Sequence, residues 1–190
     1  MSTPAQTEQQ LTEVAWRHIS TGFVDRNRVA EAVLRAAGDT IDEPSVRDLV
    51  DRLWHQRLRE QWYWSPETDC DRLDAAFAEL VTRGLLVRQH YHDCLKCGFA
   101  AITAEDGATA STGFVFFDES DTQAAARGEG LQLAYGAFAA PDAATAGSAV
   151  AQIGATVCAA LRDHGLLVSW SQSIDERIFV DLQWRKRIAP

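Results

Sequence analysis

No stretch of this chain approaches the ~20 consecutive apolar residues that cross a bilayer. Its opening residues, Met1 to Gln10, lack the basic-then-apolar order of a secretion signal. No membrane association is therefore expected, and the cytoplasm is the expected location. Positive charge is also scarce, since 18 Lys and Arg face 27 Asp and Glu, for a net charge of −9. A nucleic-acid binder needs a basic footprint to neutralise phosphates, so no nucleic-acid partner is expected. The one basic run, Arg185 to Arg187, is short and reads as a solvated strand end. Two nucleotide and metal signatures are missing as well. Gly128 and Gly130 have neither the third glycine nor the Gly-Lys-Ser/Thr ending of a phosphate loop, and no Asp-x-Asp-x-Asp-Gly calcium loop occurs. Internal repeats and low-complexity tracts are absent too.

Cysteines are few: Cys70, Cys94, Cys97 and Cys158. In a reducing compartment, a pair as close as Cys94 and Cys97 points to metal binding or thiol chemistry rather than to a structural disulfide. That pair sits in the most informative stretch of the chain, His90-Tyr-His-Asp-Cys-Leu-Lys-Cys-Gly98, directly after a short strand pattern over 85–89. Side chains alternate along an extended chain. If the extension continued, His90, His92 and Cys94 would share a face, and Cys97 would return on a turn at Gly98.

Around this stretch, 190 residues suffice for a real core. Residues 1–6 read as a loose tail. Helical spacing of apolar residues then predicts three helices: one from Thr7, one ending at Gly38, and one with Pro44 in its first turn that runs to near Trp62. Trp62, Tyr63 and Trp64 read as a packing wedge, with a stacking platform as the alternative. Thr68 and Asp71 predict a capped helix that runs to Gly84 with Cys70 on its apolar face, as a half-buried thiol or a third metal ligand. Ser120 with Gln123 predicts a second cap, set against a cation-binding reading of Asp118, Glu119 and Asp121. Strand patterns at 113–117 and 131–135 precede a long Ala-rich helix over 142–163, with Cys158 inward. A final hairpin pairs 166–170 with 177–182. The expected fold is α+β: an N-terminal helical region over 1–62, then an α+β domain over 68–190 with a mainly antiparallel sheet of about five strands.

Three segments carry a resemblance: Thr68 to Phe77, the Cys94-x-x-Cys97-Gly98 knuckle, and Gly113 to Phe117 followed by Asp121-Thr122 and Leu131 to Gly136. Together they resemble an uncharacterised bacterial, actinobacterial-type domain of unknown function, over roughly residues 60–185. The residues that match its pattern are Cys70, Cys94, Cys97, Gly98 and Asp121. The resemblance implies no established activity. It implies a further cysteine at the position of Asp93, so a histidine would have to complete a site here.

Three functions follow as expectations. The first is a zinc site with Cys70, Cys94, Cys97 and one of His92 or His90 as ligands. Zinc favours four such N and S donors in a tetrahedron, and a site with only three protein ligands would keep a position for water. The second is thiol redox chemistry at Cys94 and Cys97. The third is an acidic, non-catalytic interaction module that meets a basic partner.

Overall fold

The computed structural model describes residues 4–38, 41–138 and 143–190. The described chain divides into two compact units, one of residues up to Pro66 together with Arg185–Pro190, the other spanning Glu67–Trp184.

The first unit contains α1 (Pro4–Thr21), α2 (Arg26–Ala37) and α3 (Glu43–Gln61). Helix α1 begins at Pro4 rather than at Thr7, because proline has the φ of a first helical turn and no amide to satisfy there. Aspartates cap the next two helices: Asp25 accepts the Arg28 amide and Asp42 the Ser45 amide, each at 3.0 Å. Residues three and four apart share a helix face. Leu11, Ala15 and Ile19 accordingly meet Val29 and Val33 and then Val46, Val50 and Trp54 in one buried core.

The segment Arg185–Pro190 belongs to this core. Ile188 is buried in it, and its backbone makes a reciprocal pair with the Gln61 amide, at 2.6 and 3.2 Å. Trp54 Nε1 donates to the Ala189 carbonyl at 3.1 Å, Arg187 to the carbonyls of Ser65 and Pro66, and Lys186 lies over the Phe23 ring. The run does not end a strand, although Arg185 and Arg187 are exposed as expected. Its three basic side chains flank an apolar anchor. Trp62 and Tyr63, by contrast, are 84% and 88% exposed, which is not how a packing wedge sits, while Trp64 stacks under Arg57.

The second unit is α+β. Its elements are α4 (Asp69–Thr82), β1 (Leu85–Arg88), α5 (Leu95–Ile102), β2 (Gly113–Phe116), α6 (Glu119–Ala126), β3 (Leu131–Ala137), α7 (Ala143–Asp163), β4 (Leu167–Ser169) and β5 (Ile178–Asp181). The strands form one sheet in the order β1-β2-β3-β5-β4. Every pairing is antiparallel except β1 with β2, where Leu85 lies opposite Gly113 and Arg88 opposite Phe116. A parallel pair needs a crossover of a dozen or more residues. Here the crossover carries α5 and a 3₁₀ turn at Asp106–Thr109.

Helix α4 carries the expected reciprocal cap. Thr68 Oγ1 accepts the Asp71 amide while the Asp71 carboxylate accepts the Thr68 amide, and Cys70, Leu73, Phe77 and Leu80 are buried below. Helix α7 packs on β2, β3 and β4 as well as on α4. Close approach is possible because residue 154 is glycine: a Cβ there would stand 2.6 Å from the Trp170 ring and 2.9 Å from that of Tyr135. Among the described residues no helix is long and apolar enough to cross a membrane.

Candidate functional site

The site begins where β1 gives out. After Gln89, whose amide donates to Asp74 at 2.8 Å, His90 and His92 both enter the left-handed region, at φ 50° and 60°. Side chains rarely adopt it, and such strain persists only where the surroundings enforce it. Here two backbone bonds do so. The Tyr91 amide donates to the Phe117 carbonyl, and the Glu119 amide donates to the His92 carbonyl, both at 2.9 Å. The second of these satisfies an amide in the first turn of α6 that would otherwise lack a helical partner.

The expected extended run is therefore corrected. Two left-handed residues re-aim every side chain after them, and His90, His92 and Cys94 do not line one face. His90 Nδ1 bonds Thr122 Oγ1 at 3.0 Å. The Thr122 hydroxyl spends its one proton on the Asp118 carbonyl, at 2.8 Å, so the imidazole is the donor. His92 is exposed, with its ring edge-on to Tyr91 at 4.5 Å between centroids. Below it, Tyr91 Oη donates to Glu105, which also pairs with the Arg88 guanidinium. Burial, and then the hydrogen bond to Glu105, push the Tyr91 phenol up to about 12. Burial pushes the Glu105 carboxyl up too, but the bonds from Tyr91 and Arg88 outweigh it and hold that carboxyl below its ordinary range.

Cys94 is the N-cap of α5. Its Sγ accepts the Cys97 amide at 3.2 Å, a role more often filled by Ser or Asp. The turn expected at Gly98 is instead the first turn of a helix. Gly98 is buried and needed for another reason: a Cβ would lie 2.5 Å from the Phe116 ring. The cap and this contact present both thiols on the surface. Cys94 is half-buried and Cys97 exposed, and the exposed Asp93 carboxylate joins them. One ligand atom from each of the three lies within 4.8 Å of the other two.

Neither Cys70 nor His90 nor His92 belongs to that group. Cys70 is 2% exposed on the apolar face of α4. The residue that sequence reasoning left out is Asp93. Its adjacency to Cys94 is the signal the sequence offers. Within the group the Cys97 thiol is pushed up to about 11. The hydrogen bond to Cys94 is the chief cause, and the charge of Asp93 adds to it. Cys97 therefore holds its proton at neutral pH.

The cap of α6 also differs from expectation. Asp118, not Ser120, is the N-cap, in a reciprocal box with Asp121; Ser120 donates to the Asp118 carboxylate, and Gln123 bonds Glu119. Asp121 is 5% exposed and grips Arg177 Nη1 with both oxygens, at 2.9 and 2.8 Å. Burial pushes its carboxyl up against the opposing pull of the guanidinium. These carboxylates are engaged in capping and ion pairing. Cys158 is buried, and its thiol is pushed up by burial.

Fold and site together define an α+β protein with a surface dithiol–carboxylate group at the start of a short helix. The chain belongs to a family known as a domain of unknown function, DUF6891, whose model matches residues 4–188. No curated protein and no solved structure matches it.

Proposed function

We propose that Asp93, Cys94 and Cys97 bind a zinc ion, with a fourth position open to water or to a ligand from outside. The observation that carries this reading is the grouping of three ligand atoms within 4.8 Å. Tetrahedral zinc with Zn–S bonds of about 2.3 Å sets its donors about 3.8 Å apart, so side-chain rotation alone closes the group. Thiolate and carboxylate are both zinc ligands, and neither Cys70 nor a histidine is required. An ion held by three surface side chains keeps a coordination position accessible, where it acts as a Lewis acid or takes a partner's donor. Both thiols must lose their protons on binding, and Cys97 resists this, so affinity rises with pH.

The test is the metal content of protein purified without chelator or affinity-tag metal. About one zinc per chain is expected. Cys94→Ser and Cys97→Ser should abolish it, whereas Cys70→Ser should leave it unchanged. Metal-free protein with Cys94 and Cys97 both open to alkylation would end the reading.

A second reading rests on the helix start itself. A thiol that caps a helix and accepts the amide of Cys97 at the third helical position, whose own thiol is pushed up by its hydrogen bond to Cys94, is arranged for disulfide exchange. Cys94 would attack a partner's disulfide as the thiolate and release one partner thiolate. Cys97, losing its proton, would then attack Cys94 Sγ and release the second, leaving the partner reduced and Cys94–Cys97 oxidised. A redox titration of metal-free protein separates the readings. A Cys94–Cys97 disulfide that forms and breaks reversibly with a glutathione couple supports exchange.

A further inference from the structure

A groove of about 480 Å³ opens on the outer face of the sheet, far in sequence from the thiols. Its floor is a row across three strands. Gln132 of β3 pairs in register with Phe179 of β5, which pairs in turn with Ser169 of β4. Directly opposed residues of antiparallel strands share a face. The neighbours Leu131, Leu133, Ile178 and Val180 are buried on the other side. Arg177 and Glu176 form one wall, and Trp170 stands at the rim, its indole N–H held by Tyr135 Oη at 2.9 Å.

The polar groups of this groove are fixed but not used up. Arg177 is anchored through Nη1 alone to the buried Asp121. Among the described residues its Nε and Nη2, the Gln132 amide and the Ser169 hydroxyl make no further hydrogen bond. Glu176 takes one bond, from Ser171 Oγ at 2.7 Å, and keeps acceptor capacity. The charge of Arg177 is already balanced by Asp121, and Glu176 adds a negative one, so the groove does not attract an anion. It offers donors and acceptors in alternation around the half-buried ring of Phe179.

We propose that this groove binds a neutral sugar ring or short saccharide. Every hydroxyl of such a ligand both donates and accepts, which suits the mixture of guanidinium, amide, hydroxyl and carboxylate. Its C–H face is apolar and suits an aromatic surface. The volume falls within the roughly 300–1,000 Å³ typical of small-ligand sites. This site is independent of the dithiol group, and either can stand without the other.

The experiment is a titration of the full chain, followed by backbone amide NMR, with cellotriose, maltotriose and xylotriose in turn up to ~10 mM. One of them is expected to shift the amides of Gln132, Ser169, Arg177 and Phe179 with saturation in the millimolar range or below. Phe179→Ala should weaken that binding by about tenfold or more. Gln132→Ala removes only a half-exposed amide and serves if Phe179→Ala loses its native spectrum; it should weaken binding severalfold. The proposal is overturned if no trisaccharide moves these amides, or if the shifts map elsewhere. It is equally overturned if both variants bind as tightly as the parent, or if tetramethylammonium moves these amides and the sugars do not.

Discussion

A methyl group at position 98 has nowhere to go. The Phe116 ring occupies its place at 2.5 Å, and Phe116 is itself buried and edge-on to Phe99. Overpacking a close-packed contact costs about 1–3 kcal/mol. Gly98→Ala should therefore lower stability by that amount in denaturant unfolding, and it should lower metal content too if α5 tilts away from Asp93. A substitution with wild-type stability would show that α5 can shift freely on β2. Tyr91 offers a second test at this scale. Its phenol is pushed up to about 12 from the ordinary 10. The stability it contributes is thus fully present below pH 10 and is lost as pH rises through about 12. In a spectroscopic titration against Tyr91→Phe, the missing transition should be the highest one. A phenol that ionises near 10 would mean that neither its burial nor the bond to Glu105 persists.

At the scale of elements, α4 and α7 are joined near their ends by His164 Nε2 and Glu79 Oε2, 2.9 Å apart, with Arg83 on the same carboxylate. The His164 hydrogen bond, and then Arg83, hold the Glu79 carboxyl below its ordinary 4.5. The contribution of this link is complete above pH 4.5 and fades as pH falls through the lowered value. Glu79→Gln should consequently melt below wild type at pH 7, with the gap closing toward pH 3. A gap that stays constant over that range would show that the carboxylate charge is irrelevant.

Elements were also the scale at which the sequence was most legible. Apolar spacing revealed the helices from Leu11 to Leu80, Thr68 and Asp71 revealed a cap, and the turn between Trp170 and Arg177 revealed a hairpin. What stayed hidden had non-local causes. The left-handed residues His90 and His92 are held by carbonyl and amide partners at Phe117 and Glu119, nearly thirty residues on. No local preference of histidine announces them. The parallel pairing of β1 with β2 likewise depends on a crossover whose helix, α5, starts where the local pattern suggests only a turn. For the candidate site, Cys94 and Cys97 were legible from their spacing alone. Asp93 enters the group, and the two histidines stay out, because of that same backbone reversal, whereas Cys70 is buried on the apolar face of α4.

For the whole molecule, the family span of 4–188 takes in the helical unit as well as the sheet, and it reaches the buried Ile188. The short run Arg185–Pro190 carries one large apolar side chain, too little to signal burial by pattern. Yet it closes the first unit through Ile188, the reciprocal Gln61 pair and the Trp54–Ala189 bond. Its removal would uncover part of the α1–α3 core and take away the carbonyl partner of the Trp54 indole N–H, a bond worth about 0.5–1.5 kcal/mol. Deleting residues 185–190 should thus reduce amide hydrogen-exchange protection in α1, α2 and α3, while α4, α7 and the strands keep theirs. Protection lost uniformly along the chain would mean that the two units unfold as one. Protection unchanged everywhere would mean that the terminal segment rests on the helical core without holding it.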